Sequence, residues 1–292
     1  FVSIALIFSW LMAQEDVVTL PSGARLDLPH TANIRVDTIM VQSGATFAAE
    51  SPRDFSEAIA TGNGTIITGQ PLVSSVSSST SDGAYNAGDT VLVTITFSEN
   101  VTVTGTPQLT METGSTDAVL NYVSGSGTAT LVFRYIVASG HTSTDLSYGS
   151  TTALSLPNSD TKIQDNLVND GVLTLPVPGA TNSLAANKVL VIDTEAPTAG
   201  TVSDGSGTDV TYSGSSTSIT ANWTGFSDAL SGIASYEIAV GTTSGATNVL
   251  SWTSAGDVTN YTKPDLSLTH ATRYYVSTRA LDAAGNYSSA AT

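Results

Sequence analysis

Thr90-Val-Leu-Val-Thr-Ile-Thr-Phe-Ser98 reads as a β-strand. Val91, Val93, Ile95 and Phe97 fall at every second position, and the residues between them are Thr or Ser except Leu92. Side chains alternate across the two faces of a strand, so this spacing sends one row into a core and the other towards water. Ala118, Leu120 and Tyr122 repeat the pattern, and so do Leu131, Phe133, Tyr135 and Val137. Between these runs lie Gly105-Thr-Pro107 and Ser124-Gly-Ser-Gly127, both good turn chemistry. No segment shows a sustained helical period. Several short strands with regular turn punctuation argue for a β-sandwich.

Composition supports that reading. The chain has 292 residues, enough for two or three domains. Hydrophobic residues make up 40% of it, so it can bury real cores, while charged residues are only 12%. Ser, Thr and Gly fill the difference, a mixture suited to short strands and tight turns. With 25 acidic and 9 basic residues the net charge is −16. Nucleic-acid binding by phosphate neutralisation is excluded on sign, and binding to an anionic membrane surface is disfavoured. Divalent cations are the natural partners of such a surface, although acidity also serves solubility alone. Cysteine is absent, which rules out disulfides and thiolate metal sites.

Four zones follow along the chain. Residues 1–13 are apolar but too short to span a bilayer, which needs about 20 residues. They fit the apolar region of an export signal ending at Ala13, although Leu11 is large for its place before a cleavage site; the alternative is a buried first strand or helix. Residues 14–70 hold Val17-Val-Thr-Leu-Pro-Ser-Gly23, Val36-Asp-Thr-Ile-Met-Val-Gln-Ser-Gly-Ala-Thr-Phe47 and Gly62-Asn-Gly-Thr-Ile-Ile-Thr-Gly69. These look like irregular turns of a parallel β-helix or a small β-cap, with a short helix near Pro52 to Ile59. Residues 71–195 form the strand-rich zone already described, and residues 196–292 a second one. The Ala-Pro at 196–197 biases the chain between them to an extended, stiff conformation.

At this point family resemblances enter. Ala87-Gly-Asp-Thr, Ile95-Thr-Phe-Ser-Glu-Asn-Val101, Gly105-Thr-Pro-Gln-Leu109, Ser126-Gly-Thr-Ala-Thr-Leu131 and Asn187-Lys-Val-Leu-Val-Ile-Asp-Thr-Glu-Ala-Pro197 occur in order. Together they resemble the bacterial Ig-like (cadherin-like) repeats of large surface and biofilm adhesins. Residues 196–292 resemble a fibronectin type III module. Ile219, Ala221 and Trp223 alternate, as do Tyr236, Ile238 and Val240. Leu268, Thr272-Arg-Tyr274, Val276, Thr278 and Ala280 resemble the tyrosine-corner strand of that family, in which the phenol reaches back to the backbone. Asp282-Ala-Ala-Gly-Asn286 resembles the ending of bacterial versions, and the module reads as truncated after it. The fold expectation is therefore all-β: tandem Ig-like and fibronectin type III β-sandwiches after a small β-rich N-terminal segment, β-helical or a β-cap. The resemblance implies a non-catalytic, rod-like spacer of a secreted bacterial surface protein, with neighbouring modules as its partners. A carbohydrate- or protein-binding module, or accessory domains of a larger extracellular enzyme, are the alternatives.

Candidate chemistry is sparse. His30, His141 and His270 share no motif, and neither a Gly-x-Ser-x-Gly elbow nor a His-Glu-x-x-His occurs. No pair among the acids is singled out for glycoside hydrolysis. No enzyme activity is expected. Calcium is the sharper idea, because hard cations take carboxylate, amide and carbonyl oxygens. Asp193 and Glu195 lie in the linker. Asp165, Asn166, Asn169 and Asp170 crowd one predicted loop, Asp228 precedes Ser231-Gly232, and Asp282 and Asn286 lie near the end. Linker acids often hold calcium in the adhesin repeats this chain resembles, so Asp193 and Glu195 come first by that resemblance. Asp and Asn are also ordinary turn formers. A receptor site for carbohydrate or protein would draw on exposed aromatics, with Tyr148, Trp252, Tyr261 and Tyr287 as candidates.

Overall fold

The computed structural model describes residues 17–20, 25–28, 38–41, 46–49, 65–67, 70–166 and 168–292. The expected export signal (residues 1–13) and the short helix near Pro52 to Ile59 lie outside them. Five short strands come first: β1 (Val17–Leu20), β2 (Arg25–Leu28), β3 (Thr38–Val41), β4 (Thr46–Ala49) and β5 (Thr65–Ile67). They pair in parallel as two stacks, β1 with β3 and β2 with β4 and then β5. Val17 lies opposite Thr38 and Arg25 opposite Thr46, and Thr46 opposite Thr65. The parallel partners recur at a near-constant interval of 19 to 21 residues along the chain.

The next strands are β6 (Val73–Ser78), β7 (Gly83–Tyr85), β8 (Thr90–Thr104), β9 (Gln108–Met111), β10 (Ala118–Ser124), β11 (Thr128–Ile136), β12 (Thr142–Ser143), β13 (Leu154–Ser155) and β14 (Lys162–Gln164). A single helical turn, α1 (Leu184–Asn187), then leads to β15 (Leu190–Asp193). Ser183 caps α1, its hydroxyl accepting from the Ala186 N–H at 3.4 Å. The larger sheet runs β13-β9-β10-β11-β8, with β6 and β14 also on β8; β12-β15-β7 forms the smaller one. The alternating rows read from the sequence face inward. Val91, Val93, Ile95, Phe97, Leu120, Leu131, Phe133, Tyr135 and Val137 are all buried, in one core with Leu146, Ile163, Leu175, Leu190 and Ile192. Apolar area removed from water here is the main stabilising term, at about 25 cal/mol per Å2.

The last six strands are β16 (Thr201–Asp204), β17 (Ile219–Thr224), β18 (Ile233–Gly241), β19 (Leu250–Gly256), β20 (Asn260–Lys263) and β21 (Tyr275–Asp282). They form two three-stranded sheets, β16-β17-β20 and β19-β18-β21. Between the sheets sit Ala221, Trp223, Tyr236, Ile238, Val240, Val276 and Ala280. Tyr236 meets the Trp223 ring at 5.4 Å and the Phe226 ring at 5.6 Å between centroids. The Tyr274 hydroxyl accepts from the Thr269 N–H at 2.7 Å, so the phenol does reach back to the backbone. The buried leucine beside it is Leu266, while Leu268, singled out from the sequence, is only half-buried. Beyond β21 the chain turns back along it, with Tyr287 opposite Leu281 and Ala291 opposite Thr278. Among the described residues, no helix is long and apolar enough to cross a membrane.

Two substitutions test this packing. Phe133→Ala removes a ring with 0% exposure and should cost about 3–5 kcal/mol in chemical denaturation. Gly125 has φ +110, and a Cβ there would sit 2.0 Å from the Thr130 carbonyl oxygen. Gly125→Ala should therefore destabilise by more than about 1 kcal/mol although it lies in a surface turn.

Candidate functional site at the junction of the sandwiches

Asp193 ends β15, Asp282 ends β21, and Asp228 sits in the loop between β17 and β18. Each lies at a strand end or in a loop, where a carboxylate can accept from backbone N–H groups that the ladder leaves over. The folding chain brings the three together: one ligand oxygen from each lies within 4.8 Å of the others. Asp193 is 0% and Asp282 2% exposed, and Asp228 is half-buried.

Three loops interlock around these acids. Asp193 accepts from the Glu195 N–H at 3.0 Å through Oδ1, and from the Ser231 N–H at 3.1 Å and the Ser231 hydroxyl through Oδ2. Asp228 Oδ1 accepts from the N–H groups of Leu230, Ser231 and Gly232 at 3.0, 2.9 and 2.8 Å. Asp282 accepts from the Asn286 N–H and from its side-chain amide, both at 2.8 Å. The same Asn286 amide also donates to the Asp193 carbonyl at 3.1 Å. The end of one sandwich is thus fastened to two loops of the next. Among the described residues the ion pairs are Lys188 with Asp82 and Arg279 with Glu237, so no cationic side chain neutralises the three carboxylates.

The remaining sequence candidates fall elsewhere. Glu195 is exposed and outside the group of three. Asp165 and Asp170 belong to a loop after β14. Asp165 is buried and accepts from the Asn169 N–H at 2.8 Å and its side-chain amide at 2.7 Å, the arrangement Asp282 has with Asn286. Asp170 is exposed and accepts from Gln164 at 2.9 Å. Glu99, not singled out from the sequence, lies near Asp165. Burial, and then the Asp165 charge, raise its pKa above the ordinary carboxylate value, and its Oε1 is buried with no hydrogen-bond partner.

The aromatic candidates do not form an open platform. Tyr148 is 1% exposed; its hydroxyl donates to the Pro176 carbonyl at 2.7 Å, and burial pushes the phenol up to about 12. It is a core residue of the middle sandwich, and its neighbour Ser147 pairs with Glu112 just after β9. Tyr261 packs on the core of the last sandwich. The Arg279 guanidinium lies 4.4 Å from the Trp252 ring and 3.9 Å from the Tyr287 ring, and donates twice to Glu237 at 2.9 and 2.6 Å. One face of each ring is therefore taken by a cation of the same chain. His141 faces Tyr135, ring nitrogen to hydroxyl 2.9 Å, and His270 is exposed in a loop; His30 lies outside the described residues.

No protein-family model matches the chain, and no curated protein matches it in sequence. Among solved structures, the chain is similar to the crystal structure of chicken CNTN1 FN1-FN3 domains. The two are 16% identical, with a TM-score of 0.31, and the match covers 77% of this chain and 67% of that one. The all-β sandwich assignment rests on the strand order and cores described above.

Glu99 supplies a pH test. Its folded pKa lies above its unfolded one, so the folded state holds the proton more tightly, and stability falls as pH rises from the ordinary carboxylate value through the raised one. Glu99→Gln should melt higher than the wild type at pH 7 in chelator, with the difference vanishing below about pH 4. An equal difference at both pH values would contradict the assignment.

Proposed function

We propose that this chain is a non-catalytic spacer segment of a secreted bacterial surface protein, and that calcium held by Asp193, Asp228 and Asp282 stiffens its junction. One observation carries the reading: three carboxylates from two sandwiches converge, mostly buried, with no cationic side chain of the described residues paired to them. Buried charge is costly unless it is paired or binds a metal. Two oxygens on opposite sides of one calcium ion, each at about 2.4 Å, lie about 4.8 Å apart, so the observed spread suits a shared ion. Six to eight oxygens are usual, and carbonyls and water would supply the rest. The Asp-x-x-x-Asn ending matters because Asn286 orients Asp282 and holds the Asp193 carbonyl at once.

The reading of the chain as a carbohydrate- or protein-binding module draws less support, since Tyr148 is buried and Trp252 and Tyr287 stack on Arg279. Accessory domains of a larger extracellular enzyme would share the same junction.

A thermal melt of the whole chain in millimolar calcium and in excess chelator tests the proposal. A ligand at 100 times its Kd that binds only the folded state adds about 2.7 kcal/mol, about 5–10 °C if the two sandwiches melt as one unit of about 220 residues. Asp228→Asn keeps one oxygen for the three N–H donors but removes the charge, so it should abolish the calcium shift and leave the chelator melt near the wild type's. Glu195→Ala should leave the shift in place. Identical wild-type melts in calcium and chelator would overturn the calcium reading and leave the acids as loop caps.

A further inference from the structure

The face of the larger sheet of the middle sandwich that points away from the core is unlike the rest of this acidic chain. Strands β6, β9, β10, β11 and the Thr90–Ser98 half of β8 contain one charged residue, Arg134, and no carboxylate. Their registers set the outward side chains in rows. Gln108 lies opposite Asn121, Asn121 opposite Arg134, and Arg134 opposite Leu92. Thr110 lies opposite Val119, and Val132 opposite Thr94. Val119, Val123 and Ile136 are 55%, 44% and 54% exposed on the same two neighbouring strands. Together with Arg134, and with Asp117 at the rim, they line a hollow of about 410 Å3.

We infer that this face is a self-association surface whose occupant is the same face of a second copy of the chain. Charge selects the occupant. Each molecule carries −16, so two copies repel wherever carboxylates meet and approach most easily through strands that carry none, with Asp117 beside them. Sheets pack face to face about 10 Å apart, and β-branched side chains such as Val119 and Ile136 suit that contact. A two-fold axis is the simplest symmetry for identical faces, and it can set Arg134 of one copy towards the acidic rim of the other. Five strands at about 4.8 Å spacing, each offering about five residues, cover about 400 Å2 per copy. The total of about 800 Å2 is below the standard size for stable complexes, so the contact is weak and gains strength when several modules meet at once. This inference does not depend on calcium.

Sedimentation velocity on the whole chain, in chelator and up to about 1 mM protein, tests it, since weak contacts have millimolar to micromolar affinities. The weight-average sedimentation coefficient should rise with concentration, and rise further when salt screens the net repulsion. Val119→Glu with Ile136→Glu places like charges on both copies and should leave a monomer whose melt matches the wild type. Arg134→Glu, a single exposed change, should weaken association at least tenfold and serves if the double variant melts early. A wild type that stays monomeric at both salt levels overturns the inference, and so does association that persists in these variants.

Discussion

Asp193 is a carboxylate without exposed surface, and it stands where one sandwich hands over to the next. Its backbone belongs to the middle sandwich, where it pairs with Thr142. Its side chain is held by Ser231 and its carbonyl by Asn286, both from the last sandwich. A buried charge has to be satisfied, and here the Asp193 carboxylate accepts from the Glu195 N–H, the Ser231 N–H and the Ser231 hydroxyl. Pulling the sandwiches apart would strip Asp193 of its Ser231 bonds. The junction is therefore more than a covalent link: its geometry is set by polar groups that are satisfied only when the two bodies meet in one way.

The loops that supply those groups depend in turn on the two cores. Asp228 can face Asp193 because β17 carries Trp223 into the last core and sends the following loop back to the junction, where Ser227 and Thr198 pair. Asp282 is placed by β21, whose Val276, Thr278 and Ala280 are buried. On the other side of that sandwich's sheet, Arg279 between Trp252 and Tyr287 ties β19, β21 and the returning tail to Glu237 of β18. Cores fix the strands, strands aim the loops, and the loops collect the carboxylates. Calcium, under the proposal, would neutralise what the hydrogen bonds leave uncompensated.

Much of the fold was legible because alternation is a local signal. Val91 to Phe97 and Leu131 to Val137 announce their buried rows within a single strand, and nothing distant overrides them. The junction was legible only as a set of names. Asp193, Asp228 and Asp282 each stand out as loop or linker acids, but 35 and 54 residues separate them, and no local pattern says that they meet. Glu195 was favoured by resemblance, and it lies beyond the residue at which the strand pairing ends, exposed to solvent. Tyr148 reads as a candidate exposed aromatic because it falls near predicted loops or strand ends, whereas its ring is 1% exposed within the core. Glu99 carries no signal of its own in the sequence, because it sits in the Thr90–Thr104 strand where pairing to β11 slips, and such a bulge is invisible to period-two counting.

The central claim is that the junction is one rigid arrangement stiffened by a cation. Because the chain has no cysteine, two can be introduced cleanly for spin labels at Ser155 and Ser251, which are exposed on opposite sides of the junction. Electron–electron double resonance then measures the distance distribution between them. The account predicts a single narrow distribution in calcium that broadens in chelator, and that stays broad in calcium when Asp228 is replaced by Asn. Equal widths in calcium and chelator would contradict it.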